Sequence, residues 1–293
     1  MNSDESEIYA HYARWALWPQ RGRMPHSPSF HLEWVELPQR YPALLFDGFG
    51  TLYNLMDAHR GAVELLDRLR HTGCSLRLVT NAASRRPERL RDHLGAMGLG
   101  FSVNEIVSSG SLLAEVNRKL GIHSALHLGR EEAQFFLQEA GIHAEEPMTR
   151  PCVVMTSALS ESDPRLDRAR YWLARPGALL VNLNPDAWAP RRDGTRIPVS
   201  GSQAWGLRRE TGCRLLCLGK PFGGIFRRAL ASLPSPQGPV LMVGDTLGTD
   251  ILGGVGAGLS TALVLGGNSL NPDLEADAEA LGIRPDYYLD PID

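Results

Sequence analysis

The stretch Ala43-Leu44-Leu45-Phe46-Asp47-Gly48-Phe49-Gly50-Thr51-Leu52 decides the fold, because an apolar run ends there in an aspartate and a Gly-x-Gly turn follows at once. A short apolar run bounded by glycines is typical of a strand buried in a parallel sheet. Asp47 is then expected at the carboxyl end of that strand, where open α/β sheets place their ligands. Taken alone, the stretch is explained equally well by an ordinary strand end with a turn-forming aspartate.

Short apolar segments alternate with helix-like segments along most of the remaining chain. The predicted strands are Leu76–Val79, Ala125–Leu128, Cys152–Thr156, Leu179–Leu183, Leu215–Leu218, Pro239–Val243 and Ala262–Leu265. Segments with helical spacing stand between them, among them Ala58–Leu69, Pro87–Met97 and Gly110–Leu120. Such alternation predicts an α/β fold with a parallel sheet and helices on both of its faces.

The composition narrows the class of protein. The 293 residues carry a formal net charge of −3, so the basic stripe of a nucleic-acid or membrane-surface binder is not expected. The chain opens on a polar, acidic segment, and no apolar run approaches the ~20 residues of a membrane span. The four cysteines are not paired in a C-x-x-C motif and are predicted to be buried, reduced thiols. We therefore expect a cytoplasmic protein.

Residues 1–40 differ from the rest of the chain. Trp15, Trp18 and Trp34 stand among several prolines, and a short helix is predicted over Glu7–Trp18. Disordered tails are usually poor in aromatic residues, so this arm is expected to pack against something. Core packing and a homodimer contact are the two roles predicted for the tryptophans.

Several predicted strands end in a polar side chain. The residues at these ends are Asp47, Thr80, Lys220 and Asp245. Right-handed crossovers bring such ends to one edge of a parallel sheet. Carboxylates at that edge, with Asp250 nearby, offer the oxygen ligands that Mg²⁺ prefers, whereas a hydroxyl and an ammonium suit a phosphate. A helix N-cap with an acidic first turn explains either Asp245 or Asp250, but explains both beside Asp47 less well.

Four motifs then give the chain a family resemblance. In order they are Asp47-x-x-Gly50-Thr51, Thr80-Asn81, Lys220-Pro221 and Gly244-Asp245-x-x-x-Thr249-Asp250. They resemble the haloacid dehalogenase (HAD) superfamily of phosphohydrolases, and more narrowly its subclass IIA, the p-nitrophenyl-phosphatase and sugar-phosphatase-like group. Ile106–Gly110 and Asn184–Asp186 are similar to that subclass as well, and the resemblance runs from about Tyr41 to the C-terminus.

The resemblance implies a Rossmann-like parallel-sheet core with a large inserted α/β cap domain. The core is expected to comprise residues 41–83 and 200–293, and the cap residues 84–199, with the arm 1–40 outside both. It also implies a Mg²⁺-dependent phosphohydrolase that acts on a small phosphorylated metabolite through an aspartyl-phosphate. A homodimer through the cap or the arm is the remaining partner prediction.

Roles follow from the resemblance, residue by residue. The residue that matches Asp47 is the family's nucleophile and a Mg²⁺ ligand. Asp245 matches a second metal ligand, Asp250 supports the metal site, and the backbone carbonyl at the position of Phe49 completes the ligand set.

The phosphate side of the site is carried over in the same way. The residues matching Thr80 and Lys220 hold the phosphoryl group, with the amides near Asn81 beside them. Asn184 lies near the expected return from cap to core, where it and Asp186 could face the crevice. Arg191 and Arg192 follow in the same loop, where an exposed, solvated position is expected.

Phe49 departs from the pattern of the family's phosphatases. They usually carry there a second aspartate, which protonates the leaving oxygen and later activates water, and such help is worth ~10²–10⁴ in rate. Tyr53, Asp57 and His59 are the nearby candidates for a substitute, although loop or helix-start roles explain each of them. The departure predicts that aryl and acyl phosphates react better than alkyl phosphates.

Three functions therefore stay open. The chain is a phosphohydrolase with an atypical acid–base step, or a catalytically impaired protein that binds a phosphorylated ligand or a partner. The third alternative is a 2-haloacid dehalogenase, since those enzymes carry an aromatic residue at the position of Phe49 and expel a halide that needs no acid. They need no metal, however, which would leave Asp245 and Asp250 without a role.

Overall fold

A computed structural model describes residues 3–16, 30–54, 57–145, 148, 150–190, 195–234, 238–266 and 274–292. Within these ranges the strands are β1 Phe30–His31, β2 Ala43–Phe46, β3 Tyr53–Asn54, β4 Asp57–Ala58, β5 Ser75–Thr80, β6 Ile106–Ser108, β7 Leu126–Leu128, β8 Cys152–Met155, β9 Leu179–Asn182, β10 Trp188–Pro190, β11 Arg196–Pro198, β12 Arg214–Cys217, β13 Val240–Gly244, β14 Ser260–Val264 and β15 Tyr287–Leu289.

The α-helices of the same ranges are α1 Ser3–Ala16, α2 Leu37–Arg40, α3 Ala62–His71, α4 Pro87–Ala96, α5 Leu113–Leu120, α6 Gln134–Glu139, α7 Arg165–Leu173, α8 Ser200–Thr211, α9 Gly223–Ser232, α10 Leu252–Gly256 and α11 Leu274–Leu281. Each of these helices is too short or too polar to cross a membrane. All four cysteines are free and buried, as predicted.

The larger sheet has seven strands in the order β1-β15-β14-β13-β2-β5-β6, and every neighbouring pair is parallel. β2 is an interior strand between β13 and β5, and all four of its residues are buried. Parallel sheets bury both faces under helices, which explains why this strand is apolar without alternation. The predicted Rossmann-like α/β core is confirmed.

A second parallel sheet has four strands in the order β12-β9-β8-β7. Helices α7 and α8 pack against it through a separate apolar cluster that includes Leu166, Leu173 and Leu207. This sheet forms the inserted α/β cap.

The predicted cap bounds of 84 and 199 differ from the strand pairing. β6, predicted to belong to the cap, pairs with β5 at the edge of the core sheet. β12, predicted to belong to the core, pairs with β9 in the cap sheet. A strand–helix–strand unit shows its elements in the sequence but not which sheet the second strand joins. By strand pairing we infer a cap that runs from about Gly110 to about Leu218.

The N-terminal arm packs on the same chain, but not mainly through its tryptophans. On α1, the residues Ile8, Tyr9, Tyr12 and Ala16 are buried against Trp205 and Leu247. Trp15 is 67% exposed, so core packing is wrong for this residue and the homodimer contact stays a prediction, whereas Trp34 contacts the core cluster. Trp18 lies outside the described residues. β1 adds a parallel edge strand beside β15, so the arm is part of the folded core.

Candidate active site

Three carboxylates meet at the carboxyl edge of the core sheet. Asp47 follows β2 and Asp245 follows β13, and these strands are neighbours. Asp250 lies on the π-helical turn Leu247–Ile251 that comes next. One carboxylate oxygen of each residue lies within 4.8 Å of the others, and all three residues are buried. The predicted convergence of these aspartates is therefore seen in the structure.

A glycine makes this convergence possible. Gly50 has φ +92°, in the region that glycine adopts at little cost. A Cβ at Gly50 would lie 2.3 Å from Oδ2 of Asp245, which is far inside van der Waals contact. The turn after β2 can pass beside Asp245 only because residue 50 has no side chain.

Lys220 provides the positive charge among these carboxylates. Its Nζ lies 2.8 Å from Oδ1 of Asp250 and also contacts the carboxylate of Asp47. Burial lowers the pKa of the Lys220 ammonium, but Asp250, Asp47 and Asp186 outweigh burial and raise it above its ordinary value. Lys220 therefore stays charged, and the three aspartates with this one lysine carry a net negative charge when all are ionised.

The donor set fits a hard divalent cation. Burial raises the pKa of Asp250 well above its ordinary value, and the repulsion of Asp47 and Asp245 adds to it against the opposing effect of Lys220. A cation among these oxygens would relieve that repulsion. The ligand atoms are carboxylate oxygens without nitrogen or sulfur, as Mg²⁺ and Ca²⁺ prefer.

Thr80 is the last residue of β5, which pairs with β2 on the side away from β13, and Asn81 follows it. The side chain of Asn81 makes two hydrogen bonds to the backbone of Lys220. Its Nδ2 donates to the carbonyl at 3.0 Å, and its Oδ1 accepts from the N–H at 2.7 Å. The Asn81 amide also donates to Oδ1 of Asp186 at 2.8 Å. Its side chain therefore fixes Lys220 and Asp186, and only its backbone stays available to a phosphate.

Residues of the cap also line the site. A cavity of about 250 Å³ lies at this site and is lined by Asp47, Thr80 and Lys220. Asn184 and Asp186, from the segment after β9, line the same cavity. Oδ1 of Asn184 accepts the N–H of Asp186 at 3.0 Å, so its side chain shapes the turn that carries this carboxylate.

Phe49 also lines the cavity, partly exposed. Its ring packs edge-to-face on Tyr53, with 5.9 Å between the ring centroids. Burial, with a smaller contribution from Asp47, raises the pKa of the Tyr53 hydroxyl above its usual range. Of the three neighbours considered as proton donors, Tyr53 lines the cavity, and Asp57 and His59 are not among its described lining residues.

The sequence did not indicate every lining residue. Trp188, Ala189, Val199 and Thr246 also contribute to the cavity, and no motif or spacing singled them out for this role. The role of α1 was missed as well, although the spacing of Ile8, Tyr12 and Ala16 shows an apolar helix face. Arg191 and Arg192 lie outside the described residues.

Comparisons with known proteins agree with this architecture. The family models described as haloacid dehalogenase-like hydrolase and HAD-hydrolase-like match residues 44–143 and 217–293. Chronophin of Bos taurus is 32% identical over 270 residues, which cover 86% of this chain and 91% of that protein.

Solved structures give the same result. A possible sugar phosphatase of the HAD superfamily from Cytophaga hutchinsonii has a TM-score of 0.79 at 28% identity, covering 90% of this chain and 99% of that one. A glycerol phosphate phosphatase from Mycobacterium tuberculosis, in complex with calcium, has a TM-score of 0.68 at 28% identity, covering 87% of this chain and 74% of that one.

The fold and the site together define a phosphatase-type hydrolase. The chain belongs to the haloacid dehalogenase-like hydrolases and, within them, to subclass IIA, as the motifs predicted.

Proposed function

We propose that this protein hydrolyses a small phosphate monoester in a Mg²⁺-dependent reaction, through an aspartyl-phosphate formed on Asp47. The observation that carries the proposal is the buried cluster of Asp47, Asp245 and Asp250 beside Lys220, facing a cavity that both the core and the cap line. The calcium complex of the glycerol phosphate phosphatase and the description of the Cytophaga hutchinsonii structure as a possible sugar phosphatase support it.

Mg²⁺ would be held by Asp47, Asp245 and Asp250, with the backbone carbonyl of Phe49. When bound, it would neutralise negative charge on Asp47 and on the phosphoryl oxygens. A phosphoryl group in the cavity would also meet the Thr80 hydroxyl and the Lys220 ammonium, which stabilise the charge that develops on its oxygens.

The reaction has two steps. A carboxylate oxygen of Asp47 attacks phosphorus, the bond from phosphorus to the leaving oxygen breaks, and the leaving oxygen takes up a proton. A water oxygen then attacks the same phosphorus, the bond from phosphorus to Asp47 breaks, and inorganic phosphate departs. Asp47 is thereby regenerated, and water loses one proton.

The dehalogenase alternative is less well supported. Such chemistry needs no metal, and it gives no reason to bury Asp245 and Asp250 against Asp47. The phospho-ligand-binding alternative would use the same cavity without turnover, so it is settled by the assay below. We further propose a cytoplasmic setting and a small phosphorylated molecule as the partner, with a homodimer through the cap or the N-terminal arm.

The test is a panel of aryl, acyl and alkyl phosphates, each assayed for phosphate release with and without Mg²⁺. We expect Mg²⁺-dependent release from activated esters, and mass spectrometry of the protein trapped with beryllium fluoride should place the adduct on Asp47. Binding of Mg²⁺ with no release from any activated ester would favour the binding protein instead. Halide release from a 2-haloacid without Mg²⁺ would favour the dehalogenase.

A further inference from the structure

The position that carries the family's acid and base holds Phe49, whose ring cannot transfer a proton. One carboxylate of the cavity is engaged neither in the acidic cluster nor in an ion pair that the structure shows. Asp186 lines the cavity from the segment after β9, and Asp47 lines it from the end of β2. Its Oδ1 accepts the Asn81 amide at 2.8 Å, so this side chain spans the gap from cap to core.

We infer that Asp186 is a catalytic residue of this site, which protonates the leaving oxygen as the acid and then accepts a proton from the attacking water as the carboxylate. The inference rests on the proposed function. No other reactant is needed, because the proton given to the leaving oxygen in the first step is recovered from water in the second.

The backbone around Asp186 is held firmly, as proton transfer at a fixed distance requires. The N–H of Gly201 donates to the carbonyl of Asp186 at 2.8 Å, and the hydroxyl of Tyr12 donates to the carbonyl of Pro185 at 3.2 Å. The Tyr9 hydroxyl is hydrogen-bonded to the backbone of Ala187. Helix α1 therefore holds the turn through hydrogen bonds to the residues immediately before and after Asp186.

The charges around Asp186 suit an acid that also acts as a base. Burial raises the pKa of its carboxyl to about 6, while Lys220 and the Asn81 hydrogen bond oppose this and Asp47 adds to it. From α1, Tyr9 and Tyr12 also face it. Efficient acid–base catalysis needs a pKa near the working pH, and the Tyr53 hydroxyl, whose pKa lies above its usual range, is less suitable.

The cavity leaves little room for another arrangement. At about 250 Å³ it admits a small ester, and both Asp47 and Asp186 line it. A phosphorus atom attacked by Asp47 expels its leaving group in line, on the side away from Asp47, where our inference places Asp186. Of the cap residues that line it, Asn184, Asp186 and Trp188 carry polar side-chain groups, and among these three Asp186 is the carboxylic acid.

Asp186→Asn is the sharpest test, because the amide oxygen can still accept the Asn81 hydrogen bond. Only the first chemical step needs the acid, so the readout is kcat/KM for an alkyl phosphate divided by kcat/KM for p-nitrophenyl phosphate. We expect Asp186→Asn to lower this ratio ~10²-fold or more, because an alkoxide cannot leave without a proton while nitrophenolate can. Asp167→Asn, an exposed aspartate elsewhere on the cap, should leave the ratio unchanged.

The pH dependence of the ratio gives a second measurement. In the wild type the ratio should fall as pH rises through the pKa of Asp186, because its acid form is lost, relative to the same pH series in Asp186→Asn. The two substrate phosphates ionise at different pH values, and the series in Asp186→Asn corrects for that difference.

Several results would overturn the inference while leaving the proposed function intact. They are an unchanged ratio in Asp186→Asn, the same pH dependence of the ratio in the wild type and in Asp186→Asn, a selective loss in Tyr53→Phe instead, and turnover of aryl but of no alkyl phosphates. Failure of the proposed function looks different, because wild-type protein would then release no phosphate from any ester.

Discussion

The two parallel sheets of this molecule have similar architecture but very different carboxyl edges. The edge of the core sheet carries Asp47 and Asp245, with the hydroxyl of Thr80 beside them. In the cap sheet, His127 near the end of β7 is hydrogen-bonded to Thr156, which follows β8, at 2.9 Å, and both residues are buried. Of these two edges, the core edge gathers three buried carboxylates around Lys220, whereas the cap edge holds a buried, hydrogen-bonded pair.

The cap nevertheless contributes to the core's site through two of its strands. Lys220 follows β12 and Asp186 follows β9, and these strands are neighbours in the cap sheet. The cavity is thus shared, with the nucleophile on one side and, by our inference, the acid–base group on the other. Four predictions test this division, beginning with the largest effect.

Asp47→Asn should abolish turnover, because the amide cannot attack phosphorus. We expect a loss in kcat of ~10⁴-fold or more, the scale seen when a covalent nucleophile is removed. The measurement is phosphate release from the best aryl phosphate of the panel. Asp167→Asn is the matched control, as an exposed aspartate of α7 on the cap. Undiminished activity in Asp47→Asn would rule out the covalent intermediate.

Mg²⁺ should stabilise the folded protein through the core edge. At 100 times its Kd, a ligand of the folded state adds ~2.7 kcal/mol to the free energy of unfolding, which raises Tm by several degrees. The double variant Asp47→Asn, Asp245→Asn should lose this shift in thermal unfolding. His31, Glu33 and Asp290 form a second, exposed group of potential ligands, so Asp290→Asn is the control. A shift that survives in the double variant would locate the ion elsewhere.

Residues at strand ends were the most predictable part of the site. Asp47, Thr80 and Asp245 follow buried apolar runs, and the parallel topology brings them together without further information. The sheet that holds the strand before Lys220 was predicted wrongly, because strand pairing depends on tertiary packing that local spacing does not encode. The orientation of Asp186 depends on Asn81 and α1, which are 105 or more residues away in sequence.

The α/β fold was also predictable from local sequence pattern, whereas the packing of the N-terminal arm was not. The alternation of strands and helices extends over both sheets, so it defines the α/β class from local pattern alone. The exposure of Trp15 and the burial of Tyr12 depend on which face of α1 meets the core and the cap. A helix face is visible in the spacing, but its binding partner is not.

The buried His127 at the carboxyl edge of the cap sheet should make the free energy of unfolding depend on pH. Burial lowers the pKa of His127 to about 4, and Arg165 acts in the same direction. An unfolded histidine has a pKa of about 6.5, so the unfolded chain binds the extra proton between these values. Stability is therefore full above pH ~6.5 and falls as pH drops toward 4, by up to ~3 kcal/mol from this residue.

The measurement is the free energy of unfolding in urea from pH 7.5 to pH 5. His127→Gln should be less stable than wild type near neutral pH but should have a shallower decline on acidification. His143→Gln is the control, because His143 is an exposed histidine of the cap. Equal slopes in wild type and His127→Gln would show that His127 is not held neutral.

The smallest effect is expected at the contact between α1 and the turn that carries Asp186. The Tyr12 hydroxyl donates to the carbonyl of Pro185 and also contacts the thiol of Cys217, and the ring is fully buried. Tyr12→Phe keeps the ring but leaves that buried carbonyl without this donor, which costs ~1–2 kcal/mol of stability.

If α1 fixes the turn that carries Asp186, the alkyl-to-aryl ratio of kcat/KM in Tyr12→Phe should fall by a few-fold, while kcat/KM for p-nitrophenyl phosphate changes little. Trp15→Phe, on the exposed face of the same helix, should change neither stability nor the ratio. A loss of stability in Tyr12→Phe without any change in the ratio would mean that α1 supports the fold but not the proton transfer.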